Sequence, residues 1–197
     1  RVCGECILEE DGMKKWNNMR ISISHDLNGS YPEGEKISYM EDFSYGPSAD
    51  ILGESFFESV PQANPHMKNL VWDITGFEVF AWSLWDSLQL NTTYSAKEIN
   101  SVIELPGLGT FENRDIQLTW TGITEFNNKI CRIIQFSVMN NPMEMDFRDL
   151  NMKGRSHYWG HVYVSVSDKQ IEFAELDEDV LLDIKKKGQE TGSIANT

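Results

Sequence analysis

The chain has 197 residues, of which 40% are hydrophobic and 24% are charged, and this size and composition predict one folded domain over residues 1–197. Its 17 Lys and Arg residues stand against 31 Asp and Glu residues, for a formal net charge of −14. That charge repels nucleic acids and anionic membrane surfaces at long range, so neither is an expected partner. No segment approaches the roughly 20 consecutive apolar residues that cross a bilayer, so we expect no membrane span.

The N-terminal third carries weak signals for strands. We expect residues 1–15 to be flexible, and the alternation of residues 21–25 predicts a strand that ends in a turn at residues 26–30, since Asn-Gly adopts positive φ easily. Residues 35–43 fit a second strand. Residues 44–68 contain three prolines and no sustained period, which predicts an irregular connection.

The clearest helix signal begins at Thr75. Residues 75–78 have the Ser/Thr-x-x-Glu form of a capping box. The residues that then recur at helical spacing form one apolar stripe, namely Phe77, Phe80, Ala81, Leu84, Trp85 and Leu88. Trp82 lies outside that stripe, so this helix is apolar on more than one side. A second box at residues 95–98 fits either a short helix or a strand over residues 102–105, and both alternatives stay open.

From Ile116 onward the period changes to two. Residues 116–121 and 133–138 predict a hairpin with its turn at Asn127 and Asn128, and residues 157–166 and 171–176 predict a second. We expect the Met-bearing stretch between the two hairpins to be irregular. Acidic residues before Val180, lysines at 185–187 and Gly188 predict a C-terminal helix. Residues 189–197 are expected to be flexible. The predicted fold class is α+β, with a curved, mostly antiparallel, half-barrel-like sheet covered by one or two helices.

One predicted strand presents two kinds of surface. Because successive side chains of a strand point to opposite sides, Val162, Val164 and Val166 share one face. The other face carries His157, Trp159, His161 and Tyr163. The valine face is therefore expected in the core, and the opposite face in contact with solvent or ligand.

Candidate metal and redox residues are few. Cys3 and Cys6 fit a redox pair, half a zinc site or a local disulfide, the last or plain thiols being favoured. His157 and His161 lie about 13 Å apart along one strand, too far to hold one ion together. Met143 and Met145 offer soft donors for Cu(I), but methionines more often fill gaps under loops. The acidic run around residues 172–179 lacks the spacing of an EF-hand loop, and we find no nucleophile elbow or phosphate-binding loop. We therefore expect no catalytic residue and no cofactor.

The segment from Ile116 to Leu176 resembles the carrier proteins that sort bacterial outer-membrane lipoproteins. The likeness is carried by Leu118-Thr119-Trp120-Thr121-Gly122, Ile134-Gln135-Phe136, Gly160-His161-Val162-Tyr163-Val164-Ser165 and Ile171-Glu172-Phe173-Ala174. The resemblance implies a half-open, strongly curved antiparallel sheet plugged by helices, with an apolar interior that receives acyl chains. No functional residue is transferred by it.

Two functional hypotheses of different classes follow. The first is an exported, periplasmic or secreted, non-enzymatic protein that holds an apolar small molecule, lipid or partner between the curved sheet and the aromatic helix. Its ligand-binding residues would be Trp82, Trp85, Trp159 and Tyr163. The alternative is a metal-handling protein or enzyme that uses His157, His161 and nearby acidic or Met residues. A purely structural interaction module is a third possibility, and the sequence leaves the oligomeric state open.

Overall fold

The computed structural model describes residues 1–24, 31–53, 55–58, 65–105, 109–147, 149–186 and 192–196. Within these residues the chain forms two compact units, Arg1–Ile74 and Thr75–Thr197. That the chain forms a single domain stays a prediction. The turn predicted at residues 26–30 lies outside the described residues, as do residues 189–191 and 197 of the C-terminal tail.

The first unit contains a small antiparallel sheet. Its strands are β1 (Val2–Leu8), β2 (Lys14–Ile21), β3 (Glu35–Lys36) and β4 (Phe43–Tyr45). Strand β2 is central and pairs with the other three. The strand predicted for residues 21–25 is wrong, because β2 ends at Ile21 and residues 22–24 have no regular structure. The predicted strand over residues 35–43 is interrupted by a 3₁₀ turn, Ser38–Met40.

The N-terminal segment, for which we predict flexibility, pairs along β2 as β1. Its mobility stays a prediction. The core of this unit is built from large flexible and aromatic side chains, which suit an irregular interior. Its buried members are Trp16, Met19, Ile37, Met40, Tyr45, Phe57, Met67 and Val71.

The helix α1 spans Pro65–Trp82 and begins ten residues before the predicted start. Proline is favoured at the first helical position, because its fixed φ suits a helix and its missing N–H would have no partner there. The capping-box residues 75–78 therefore lie inside α1. Trp85 and Leu88 are buried as expected, but they follow the end of the helix in a turn where the Leu88 N–H donates to the Leu84 carbonyl oxygen at 3.0 Å.

The second unit is built on a larger sheet, in which all described strand pairings are antiparallel. Its eight strands are β5 (Thr93–Ser95), β6 (Ser101–Leu105), β7 (Gly109–Asn113), β8 (Ile116–Phe126), β9 (Lys129–Phe147), β10 (Leu150–Ser165), β11 (Ile171–Lys186) and β12 (Gly192–Asn196). The main order is β12-β11-β10-β9-β7-β6, and β8 lies between β9 and β5. Of the two alternatives for residues 95–106, the strand is the one observed, as β6, after a 3₁₀ turn at Lys97–Ile99.

Both predicted hairpins are confirmed. Strands β8 and β9 meet at Asn127 and Asn128, whose φ values of 51° and 60° are those of the two-residue turn that matches strand twist. Strands β10 and β11 are joined through residues 166–170, where Lys169 has a φ of 58°. The fold class is confirmed as α+β, with open, curved, mostly antiparallel sheets and one α-helix among the described residues.

Two local predictions in this unit are wrong. Residues 180–186 form the end of β11 and not a helix, because Val180, Leu182 and Ile184 pair with β10 on one side and with β12 on the other. Acid before and lysine after a segment favour a helix, but strand pairing on both sides outweighs that end effect. The Met-bearing stretch is not irregular either, since β9 runs through it to Phe147. A register shift beside Asn140, at a φ of 73°, accommodates the extra residue.

Alternation along β10 is as predicted. Tyr158, Val162 and Val164 are buried, while Trp159 and Tyr163 are half-buried on the other side. We call the side with Tyr158 the inner face, because Phe80 of α1 lies 6.4 Å from the Tyr158 ring. The opposite side is the outer face. Val166 has the inner parity but is exposed, because β10 ends at Ser165 and Val166 opens the following turn.

Candidate functional site

The four predicted ligand-binding residues separate into two pairs on opposite faces of the large sheet. Trp82 and Trp85 lie at the end of α1, whose Phe80 ring stacks on the inner-face Phe136 at 4.6 Å. Trp159 and Tyr163 have the opposite parity on β10 and lie on the outer face. The structure does not bring the four together in one cavity. Each pair therefore has to be judged as a separate surface.

At one end of the inner face an arginine contacts two indole rings. The Arg132 guanidinium lies 4.2 Å from the centre of the Trp85 ring and 4.4 Å from that of Trp120. Its Nη1 donates to the Trp85 carbonyl oxygen at 2.9 Å. Trp120 donates from Nε1 to the Gly122 carbonyl oxygen at 2.8 Å, which fixes the second ring. Two cation–π contacts and one hydrogen bond therefore hold the guanidinium at this position.

A second cation approaches the same indole. The Lys169 ammonium lies 5.7 Å from the centre of the Trp85 ring, and the Lys169 carbonyl oxygen accepts the Trp82 Nε1–H at 3.0 Å. Within the described part of the chain, no carboxylate forms an ion pair with Arg132 or Lys169. Two positive groups therefore meet at Trp85 without a described counter-charge, in a chain whose net charge is −14. We call Trp85, Trp120, Arg132 and Lys169 the arginine cradle.

An exposed apolar strip begins beside the arginine cradle. Ile123, Ile130 and Val166 are 63%, 55% and 48% exposed. Ile123 lies directly opposite Arg132 in the β8–β9 register, and the Val166 N–H donates to the Ile130 carbonyl oxygen at 2.9 Å. All three have the inner parity and lie past the end of α1, where no described element of this unit packs over them. We call these three residues the tip patch. Trp82, 40% exposed, is hydrogen-bonded to the neighbouring turn.

The outer face carries an aromatic cluster. Tyr163 and Phe173 lie opposite each other with ring centres 5.2 Å apart, and Phe126 contacts both at 5.8 and 5.6 Å. Farther along β10, His161 Nδ1 lies 3.1 Å from Glu175 Oε1. The face is half-buried and mixes rings with acidic groups. Among the residues with described side chains, this face has no group of exposed aliphatic side chains like the tip patch.

The candidate metal ligands do not converge. His157 and His161 share the outer face, whereas Met143 and Met145 pair with Gly154 and Met152 on the inner face. Among the residues that the structure describes, no three or more His, Cys, Asp or Glu side chains are grouped so as to hold a metal ion. The alternative functional hypothesis thus gains no assembled site from these positions.

Cys3 and Cys6 are free thiols on β1. Three residues along a strand separate their Cα atoms by about 10 Å, more than the roughly 7 Å that a disulfide can bridge. The conformation of β1 therefore does not fit the local disulfide, and plain thiols are the alternative that does. Cys131 is buried, and burial raises the pKa of its thiol.

The inner face also holds a half-buried carboxyl group, that of Glu178. Ser156 is fully buried, and its Oγ donates to Glu178 Oε1 at 2.5 Å. Burial raises the pKa of Glu178; the Ser156 hydrogen bond acts in the opposite direction, and the neighbouring Asp179 raises it further. Nearby, the Tyr158 hydroxyl donates to Asn113 Oδ1 at 2.6 Å. These contacts satisfy polar groups of the inner face.

A shallow pocket of about 300 Å³ lies elsewhere, between residues 100–102 and 112–115. Its lining includes the ion pair between Glu112 and Arg114 and the side chain of Asn113. It contains none of the predicted ligand-binding residues. A polar pocket of this kind does not suit an apolar ligand.

Sequence reasoning found Trp82 and Trp85 but missed the other members of the arginine cradle. The turn at Asn127 and Asn128 predicts the pairing of β8 with β9, but a register shift between Trp120 and Gly122 then places Trp120 opposite Ile134. That shift has no sequence signal that we can identify.

Comparisons with protein-family models, with curated proteins and with solved structures found no match. No helix among the described residues has the length and apolarity to traverse a bilayer.

Proposed function

We propose that this chain is a non-enzymatic binding protein that holds an apolar, lipid-like molecule at the open end of the inner face. The ligand lies on the tip patch, next to the turn that follows α1, with Trp82 and Trp85 at its border. The observation that carries the proposal is the tip patch itself: three large aliphatic side chains, each about half exposed or more, on one face beyond the end of α1. Exposed apolar groups that cluster in this way are typical of binding surfaces.

The surroundings of the tip patch support a ligand site. Trp85 is 8% exposed and the arginine cradle is held by stacking and hydrogen bonds, so one border of the patch is rigid. Preformed sites lose less entropy on binding than flexible ones. The resemblance of residues 116–176 to lipoprotein carriers favours the same class of ligand, and an exported location accompanies that proposal.

Native mass spectrometry and tryptophan fluorescence test this function. We expect the purified protein to carry a bound lipid-like species, and the delipidated protein to change its Trp emission on titration with lauryl alcohol. Phe in place of Trp82 should remove most of that change, because Trp82 borders the tip patch. Phe in place of Trp159, on the outer face, serves as the control and should leave it intact.

The reverse pattern would move the site to the outer face, with Trp159 and Tyr163 as its rings. If no bound species is found and the Trp emission shows no saturable change, the proposed function is overturned.

A further inference from the structure

We propose that the arginine cradle binds the anionic head group of the ligand, so that this protein selects single-chain anionic amphiphiles over uncharged ones of equal chain length. The inference rests on the proposed function and adds the chemical class of the ligand to it. It is carried by the placement of Arg132 and Lys169 at the edge of the tip patch.

The guanidinium of Arg132 has N–H donors with which it can bind an anion. Of its five N–H donors, one hydrogen bond is accounted for, to the Trp85 carbonyl oxygen. The two indole rings lie 4.2 and 4.4 Å from the guanidinium carbon and restrict its position, while its remaining N–H groups have no described hydrogen-bond acceptor. A carboxylate matches this planar fork with two parallel hydrogen bonds.

Charge complementarity favours the same ligand. The neighbouring Lys129 is already engaged, since it binds Asp168 at 2.9 Å and Glu172 at 2.6 Å. Arg132 and Lys169 form no ion pair with any carboxylate in the described ranges. Glu125 lies opposite Ile130, two positions farther from Arg132 along β9, and so repels an anion from the far end of the tip patch. The head group is therefore directed to the arginine cradle and the chain to the aliphatic side chains.

The distances fit one molecule that contacts both surfaces. Ile123 is the direct cross-strand neighbour of Arg132, and such neighbours have Cβ atoms about 5 Å apart. Ile130 follows on the same face two residues away, about 7 Å along the strand. A carboxylate on Arg132 thus places the first part of its chain on Ile123 and the rest towards Ile130 and Val166.

Calorimetric titration of the delipidated full chain with laurate and with lauryl alcohol tests the inference. We expect laurate to bind about tenfold or more tightly than the alcohol, since a charge-assisted hydrogen-bonded contact is strong enough for that preference. K169Q and R132Q should each weaken laurate binding about tenfold and so lower the preference for laurate over lauryl alcohol. K153Q removes one exposed, ion-paired lysine of β10 and should alter neither.

The outcomes separate the two proposals. Equal affinity for laurate and lauryl alcohol, or K169Q identical to the parent protein, would overturn the anionic head-group site and leave the apolar function standing. Absence of binding by both probes would overturn the proposed function and the inference with it. Lys169 is an exposed turn residue, so K169Q keeps the test valid even where R132Q fails to fold. R132K, which keeps the charge but loses the planar fork, should fall between the parent and R132Q.

Discussion

The Arg132 guanidinium stacks on the Trp85 ring at 4.2 Å and, through Nη1, donates to the carbonyl oxygen of the same residue at 2.9 Å. One side chain of β9 thereby fastens the turn that follows α1 to the inner face of the sheet. The same contact fixes a cation at the border of the tip patch. Arg132 thus contributes to stability and is also the contact that we propose for the ligand head group.

Replacing Arg132 by Met should destabilise the fold by about 1–3 kcal/mol, because it removes two cation–π contacts and one hydrogen bond. Urea unfolding followed by far-UV circular dichroism measures the change. The matched control is R114M: Arg114 is more than half exposed and pairs with Glu112 on the surface, so its loss should stay within about 0.5 kcal/mol. Equal destabilisation by the two variants would contradict the role given to the indole contacts.

Replacing Gly160 by Ala should destabilise the fold by about 2–4 kcal/mol. An added Cβ would overlap the Glu175 carbonyl oxygen of β11 and approach the Phe136 ring to 2.8 Å. Gly122 on β8 offers the control, since a Cβ there meets no atom within 4 Å. The free energy of unfolding of G122A should therefore lie within about 0.5 kcal/mol of the parent's. A G160A variant as stable as the parent would show that β10 and β11 do not pack as described.

Glu178 predicts how stability depends on pH. Because burial raises its pKa, the folded state holds the Glu178 proton to higher pH than the unfolded state does. Below the ordinary carboxyl pKa, Glu178 is protonated in both states and does not lower the free energy of unfolding. As the pH rises from that value through the raised pKa, the free energy of unfolding falls. E178Q removes that loss, so the variant should gain stability relative to the parent when the pH goes from acid to neutral.

Urea titrations of both proteins at acid and neutral pH measure this difference. The S156A variant is the complementary change, since it removes the hydrogen bond that holds the Glu178 pKa down. Its stability should fall more steeply than the parent's over the same rise in pH. Parallel pH profiles for the parent and E178Q would show that Glu178 does not titrate in a buried setting.

Asn128 should accept Gly and reject a branched residue. Its φ of 60° lies in the left-handed region, where Gly is unstrained and a β-branched side chain is strained. We expect N128G to stay within about 0.5 kcal/mol of the parent and N128V to lose about 1–2 kcal/mol. Thermal and urea unfolding check the pair, and a stable N128V variant would contradict the observed turn.

The sheet of the second unit was predictable where alternation and turn chemistry agree. Asn127 and Asn128 lie between two alternating segments, and β8 and β9 meet there as expected. At Val180–Ile184 the apolar run is broken only by Asp183 and does not alternate, and the acidic and basic ends favoured a helix. Pairing with β12 and β10 decides that segment, and such partners cannot be identified from local sequence.

The candidate site was predictable only in part. The aromatic character of the α1 end drew attention to Trp82 and Trp85, and these residues do border the tip patch. Trp159 and Tyr163 looked equivalent in sequence because nothing there states which face of β10 the helix covers. Phe80 settles that question by stacking on Phe136. Trp120 enters the site through a register shift, which depends on the assembled sheet.

The central claim is that an apolar ligand lies on the tip patch, and one pair of identical substitutions tests it most directly. V166S removes an exposed aliphatic side chain from the tip patch, whereas V102S makes the same change at an exposed position on β6, 63% exposed. In fluorescence titrations of delipidated protein with lauryl alcohol, V166S should bind about tenfold more weakly than the parent and V102S should bind equally well. Parental affinity in V166S, or equal losses in both variants, would contradict the account.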